Sequence, residues 1–232
     1  MTLYTIPTPL GGSAADCLPA PVLEKIRSLD YFVVENAKSA RAFLSAVGMP
    51  RPLQGLALAT LDEHTSSKEA SSLLKPLREG HSLGLLSEAG CPAIADPGAA
   101  LVEAAHREGF RVIPLIGPSS LTLALMASGL EGQRFAFCGY LPRDKAEREK
   151  RIRELEKRSR DERATEIFIE TPYRNDALLA SLLEACNART RLCVAVDLTL
   201  SSESIQTKSI HEWRTARSPI GKRPAVFLLY TP

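Results

Sequence analysis

Residues 83–98 read Leu83-Gly84-Leu85-Leu86-Ser87-Glu88-Ala89-Gly90-Cys91-Pro92-Ala93-Ile94-Ala95-Asp96-Pro97-Gly98, and a helical pattern over 99–107 follows. The short, nearly continuous apolar run suits a strand buried on both faces. A loop broken by Gly and Pro then leads into a helix. Strand, loop and helix in that order form the repeating unit of an α/β fold, and the loop lies where open α/β sheets bind ligands.

The same grammar extends outward in both directions. Apolar runs of four or five residues stand at 3–6, 31–34, 112–115, 134–137, 166–169, 192–196 and 225–229. Helical patterns separate them at 21–29, 37–47, 66–79, 119–128 and 175–186. Strands alternating with helices predict an α/β architecture. The first half reads as a doubly wound unit. The second half has fewer crossover helices after Cys193, and residues 203–210 and 225–230 look like strands around a short helix near 211–217, so a mixed sheet is expected there. Pro and Gly punctuate 114–118, which places the seam between an N-terminal domain, 1–116, and a C-terminal domain, 117–232.

Composition bounds the answer. The 232 residues are 44% apolar and 24% charged, with a formal net charge of +2. These values exclude disorder, collagen-like repeats and a small disulfide scaffold. They also argue against a protein that coats nucleic acid by charge alone. The longest strongly apolar stretch, 121–126, falls far short of the roughly 20 residues of a membrane span. The first residues lack the features of a signal peptide, so a soluble cytoplasmic protein is expected. The cysteines at 17, 91, 138, 186 and 193 form no C-x-x-C pair and are read as reduced thiols. The histidines at 64, 81, 106 and 211 show no metal-ligand spacing, so no metal is expected.

One segment stands apart. Residues 143–163 hold ten Lys/Arg and seven Asp/Glu, with only Ile152 and Leu155 strongly apolar. A solvated helix is predicted, laced with i,i+4 pairs such as Glu147–Arg151 and Glu149–Arg153. It reads either as a solubilising face or as a basic arm against RNA phosphates.

The common nucleotide and nucleophile fingerprints, G-x-G-x-x-G, G-x-x-x-x-G-K-[ST] and G-x-S-x-G, do not occur. Three loops at strand ends take their place: Pro7-Thr8-Pro9-Leu10-Gly11-Gly12, the loop 87–98, and Gly117-Pro118-Ser119-Ser120. Prolines fix such loops and glycines let a ligand reach the backbone. The third opens a helix, whose first N–H groups can bind an anion.

The order PTPLGG, LLSEAGCPAIADPG, VIPLIGPSSLTLALMASGL, QRFAFCGYLP and FIETPYR resembles the tetrapyrrole methylase superfamily over nearly the whole chain. Within it, the sequence is most similar to the bacterial small-subunit ribosomal RNA 2′-O-ribose (cytidine) methyltransferases. The resemblance implies two α/β domains, S-adenosylmethionine (SAM) in the cleft between them, and a homodimer. It further implies that Leu10, Gly11, Ser87, Glu88, Gly90, Ser119, Ser120 and Leu121 hold SAM. Leu141, Thr171 and Ala225 would approach its adenine side. The family's E-D-T-R and H-D-H-N-E segments stand here as Glu35-Asn36-Ala37-Lys38 and Asp62-Glu63-His64-Thr65-Ser66.

A ribose hydroxyl needs a base within reach before it attacks a methyl group. Glu35 is the first candidate and His64 the second. Lys38 is a candidate phosphate contact. Arg174 is expected to pair across the seam, and Asp96 to serve a turn or cap. Other acceptors, a tetrapyrrole, a small molecule or a protein, remain open at this point, as does a SAM-binding module without catalysis.

Overall fold

The computed structural model describes every residue except Glu63 and Arg217, and every side chain but those two and Ser67 and Lys68. The chain divides into two compact units, Met1–Ser119 and Ser120–Pro232.

The first unit holds β1 (Thr2–Ile6), α1 (Ala14–Cys17), α2 (Ala20–Arg27), β2 (Tyr31–Val34), α3 (Ala37–Val47), β3 (Ala57–Thr60), α4 (Ser67–Ser72), α5 (Lys75–Arg78), β4 (Leu83–Leu86), α6 (Ala99–Arg107) and β5 (Arg111–Pro114). Its strands pair in the order β3-β2-β4-β1-β5, all parallel. Such a sheet must be covered on both faces, and two separate cores do this. Ile6, Phe32, Val34 and Leu86 pack with residues of α1, α2 and α3, including Leu18, Ile26 and Leu44. Leu3, Val33, Leu83 and Leu85 pack with α4, α5 and α6, including Leu74, Leu77 and Leu101. Neighbours along one strand thus enter opposite cores, as the two-residue period of a strand requires.

Local chemistry sets the helix ends. Asn36 accepts the N–H groups of Lys38 and Ser39 to start α3, and Gly48 ends it with φ +75°. Residues 66–79, expected as one helix, break after Ser72. Pro76 has no N–H to offer the carbonyl of Ser72, so α5 restarts with that proline in its first turn. The strand β3 was not anticipated; it lies at the sheet edge and is largely half-buried or exposed, so its apolar pattern is weak.

The second unit holds α7 (Ser120–Ser128), β6 (Phe135–Tyr140), α8 (Lys145–Glu162), β7 (Thr165–Ile169), α9 (Asn175–Ala185), β8 (Arg191–Val196), β9 (Ser204–Ser209), α10 (Ile210–Thr215) and β10 (Ala225–Tyr230). The sheet order is β6-β7-β10-β8-β9, with β6 and β7 parallel and the remaining pairs antiparallel. It is the expected mixed sheet. Phe168, Phe227, Leu178, Leu182, Leu192 and Trp213 belong to its core, and the Trp213 indole donates to the Leu192 carbonyl at 2.9 Å.

The helix predicted over 143–163 forms as α8 but is not wholly solvated. Arg148, Ile152, Leu155, Glu156 and Ser159 are all buried. Arg148 Nε donates to Ser181 Oγ at 3.0 Å and its Nη1 to the Arg143 carbonyl at 2.8 Å. Glu149 pairs with Arg153 as expected, whereas Arg151 reaches Glu154, three residues on. Arg158 forms a two-pronged pair with Glu166 of β7, which is fully buried; Nε meets Oε1 at 2.7 Å and Nη2 meets Oε2. Cys138 adds its thiol to Glu166 Oε2, and burial first, then that carboxylate, pushes the thiol up to about 11.

Candidate functional site

The sheet of the first unit dictates where its site must lie. The chain leaves β1 toward β2 and leaves β4 toward β5, in opposite directions along the sheet. Right-handed crossovers then send the two connections to opposite faces. Beyond the carboxyl ends of β1 and β4, which are neighbours, a crevice opens, and such switch points are where doubly wound sheets bind ligands.

Two of the loops singled out in the sequence meet there, and the third follows β5 beside β1. Thr8 and Gly90 exchange backbone hydrogen bonds at 2.9 and 3.1 Å, tying the first loop to the second. Thr8 Oγ1 donates to the Ser87 carbonyl, and Ser87 Oγ donates to that of Gly90 at 2.9 Å. Gly90 has φ +77°, and a Cβ there would stand 3.3 Å from Leu10 Cδ2. A Cβ on Gly117 would fall 2.4 Å from Pro7 Cβ, so the third loop packs on the first with no room for a side chain. Leu10, Gly11, Ser87, Glu88, Gly90 and Ser119 are therefore gathered at one edge of one sheet.

Loop 87–98 is held in a demanding shape. Ala93 and Ala95 adopt φ of +66° and +62°, in the left-handed region that costs an alanine about 1–2 kcal/mol. Asp96 Oδ1 holds the turn by accepting the N–H groups of Ala93 at 2.7 Å and Gly98 at 2.8 Å. Burial raises the Asp96 carboxyl above its ordinary range, and these two donors only partly offset it. A carboxyl raised by folding stabilises the fold below its unfolded pKa and loses that contribution as pH rises through the folded value. Asp96→Asn keeps the acceptor oxygen and removes the charge. Its unfolding midpoint should gain on the parent as pH rises from about 4 to 7. A midpoint difference that stays constant with pH would refute this account.

Glu35 follows β2, and its Oε2 accepts the N–H of Glu88 at 3.4 Å. Ser39 Oγ donates to Glu88 Oε1 at 3.2 Å, so α3 also braces loop 87–98. Lys38 is exposed on the first turn of α3. His64 lies past the edge strand β3, exposed, on a cleft of about 340 Å³ shared with Asp62, Thr65 and Glu69. Its backbone N–H is taken by Asp62 Oδ1, and the Thr65 hydroxyl and this N–H lower the Asp62 pKa. Glu63 of the same segment lies outside the described residues.

In the second unit, Ser120 begins α7 and Leu121 follows, both half-buried. Leu141 follows β6, Thr171 follows Ile169 of β7 by two residues, and Ala225 opens the antiparallel β10. All three therefore reach the same edge of their sheet. The side chains of Leu141 and Ala225 belong to the core, which leaves their main chain as the group to offer a ligand. Arg174 does not serve the role expected of it. Its guanidinium is spent on the buried Glu170, four residues earlier in the same unit. A Glu-x-x-x-Arg spacing was the signal for this pair.

The donor set identifies the kind of ligand that fits. The loops 7–13, 87–98 and 115–121 contain no Lys or Arg. Such a rim is poorly suited to phosphates, and suits a ligand that carries positive charge and is read by backbone and hydroxyl groups. A sulfonium-bearing nucleoside meets that description. No group of three or more His, Cys, Asp or Glu side chains able to hold a metal occurs among the described residues.

Comparison with known proteins gives the family. The profile described as Tetrapyrrole (Corrin/Porphyrin) Methylases matches residues 2–213. A Mesorhizobium japonicum protein named Ribosomal RNA small subunit methyltransferase I is 33% identical over 208 residues, 90% of this chain and 67% of the relative. The protein of the same name from Neisseria meningitidis serogroup B is 32% identical over 222 residues, covering 96% and 72%. Among solved structures, the methyltransferase CobJ aligns with a TM-score of 0.62 at 20% identity, over 100% of this chain and 98% of its own. Uroporphyrin-III-C-methyltransferase from Thermus thermophilus aligns with 0.58 at 17%, covering 99% and 91%. The last two establish the fold alone. This chain belongs to the tetrapyrrole (corrin/porphyrin) methylase family and is a SAM-dependent methyltransferase.

Proposed function

We propose that this chain methylates ribosomal RNA of the small subunit, at a ribose 2′-hydroxyl. The observation that carries the reading is the 32–33% identity, over nine-tenths or more of the chain, to the two methyltransferases named for that substrate. SAM supplies an electrophilic methyl carbon on a sulfonium sulfur, which a nucleophile displaces in line.

The remaining work falls to the chain's own residues. Leu10, Gly11, Ser87, Glu88, Gly90 and Ser119 would hold SAM on the first unit, chiefly through backbone and hydroxyl groups. The second unit offers Ser120 and Leu121 at the start of α7, and the main chain at Leu141, Thr171 and Ala225. Glu35, steadied by the Glu88 N–H, would take the proton of the attacking hydroxyl. His64 is the second candidate for that role. The acting form is proposed to be a homodimer in the cytoplasm.

The test is transfer of labelled methyl groups from SAM to purified small ribosomal subunits, followed by alkaline hydrolysis of the RNA. A ribose methylated on its 2′-oxygen protects the adjoining phosphodiester, so label should appear in an alkali-resistant dinucleotide. No label in the subunits, from protein that binds SAM in a calorimeter, would sink the reading.

A further inference from the structure

The second unit carries a cavity of about 570 Å³ that none of the candidate residues touches. It lies where β8 begins and β10 ends. Arg191 and Tyr230 pair across those strand ends, and the lining residues Thr190 and Thr231 adjoin them. Leu141, Thr171 and Ala225 occupy the opposite edge of the same sheet, about 20 Å away along a six-residue strand.

Two arginines line this cavity, Arg160 from the last turn of α8 and Arg189 from the turn before β8. Arg160 is about half exposed, and its acidic neighbour Asp161, itself about half exposed, stands 3.8 Å away. At that distance in solvent the pair contributes little. Arg189 is exposed and makes no ion pair among the described residues. The other carboxylate nearby, Glu156, is buried and engaged. It accepts the backbone and side-chain N–H groups of Asn187, both at 2.7 Å, and the Thr190 hydroxyl. Those bonds fix the 187–190 turn and so hold Arg189 at the cavity wall. A concave, polar wall with two guanidiniums suits a phosphate diester, which arginine binds through its planar fork.

We propose that this cavity seats a phosphodiester of the RNA substrate, at a point remote from the nucleotide that receives the methyl group. The inference rests on the ribosomal RNA reading above. It makes substrate recognition a two-point affair and gives the charged helix a specific use, confined to its carboxyl end.

The experiment is steady-state methyl transfer to small subunits at several salt concentrations, comparing the parent with the double variant Arg160→Ala/Arg189→Ala. Both side chains are exposed, so the variant should keep the parent's unfolding midpoint and its SAM affinity. The KM for subunits should rise by about tenfold, with kcat within about twofold. The salt dependence of binding should become shallower by about 1.5 in log–log slope, since each lost phosphate contact removes about 0.7–0.9. Arg160→Lys/Arg189→Lys should recover the slope. An unchanged KM and slope in the alanine variant, beside an active parent, would overturn this site alone. A parent that transfers no methyl group to subunits would overturn the ribosomal RNA reading, and this site with it.

Discussion

Glu35→Gln is expected to lower methyl transfer to small ribosomal subunits by about 10²- to 10⁴-fold in kcat, the range that a positioned general base contributes. Glutamine retains an oxygen that can accept the Glu88 N–H, so loop 87–98 should stay in place. SAM affinity and the unfolding midpoint are therefore expected to match the parent. The loss should narrow as pH rises, because hydroxide in solution takes over the proton removal. A variant within about threefold of the parent across the pH range would transfer the role away from Glu35. The same measurement on His64→Asn would then decide whether the histidine beyond β3 carries it.

Arg158→Met is expected to destabilise the second unit by about 3 kcal/mol. Breaking a buried ion pair by removing one partner typically costs about 3–5 kcal/mol, and the low end applies because Arg158 is about a third exposed. The cost arises on the other side, where Glu166 has no exposure and would keep only the Cys138 thiol as a donor to Oε2. A fall in unfolding midpoint on the order of 10 °C should follow. The double variant Arg158→Met/Glu166→Leu should recover most of it, since no charge is then left buried. If the double variant melts no higher than the single, packing of the arginine stem rather than charge is what the fold requires.

The sequence made the strand–loop–helix units legible because buried parallel strands appear as continuous apolar runs. The boundaries of β2, α3, β4 and α6 were expected as they stand. What escaped reading had physical reasons. β3 lies at an edge and is only partly buried, so Ala57–Thr60 lacks a strong apolar signature. The inward stripe of α8 runs 148, 152, 155, 156 and 159, a good helical period, but two of its five members are Arg and Glu. Counting apolar residues cannot find a face whose burial is satisfied by hydrogen bonds. At the candidate site, the loops announced themselves through Gly and Pro. The way they interlock, Thr8 with Gly90 and Pro7 with Gly117, depends on strands far apart in the chain becoming neighbours, which no local pattern encodes.

The two left-handed alanines have an evolutionary meaning. Glycine at 93 or 95 would adopt the same φ without strain and would be the simpler choice for stability. Keeping alanine forgoes that relief, and in exchange the unfolded loop samples fewer shapes and the folded loop has fewer ways to relax. The segment behaves as a preset mould. Lineages that alter the methyl acceptor can change residues elsewhere while this piece of the fold stays fixed, and attempts to redesign the enzyme for another donor would have to begin by recasting it.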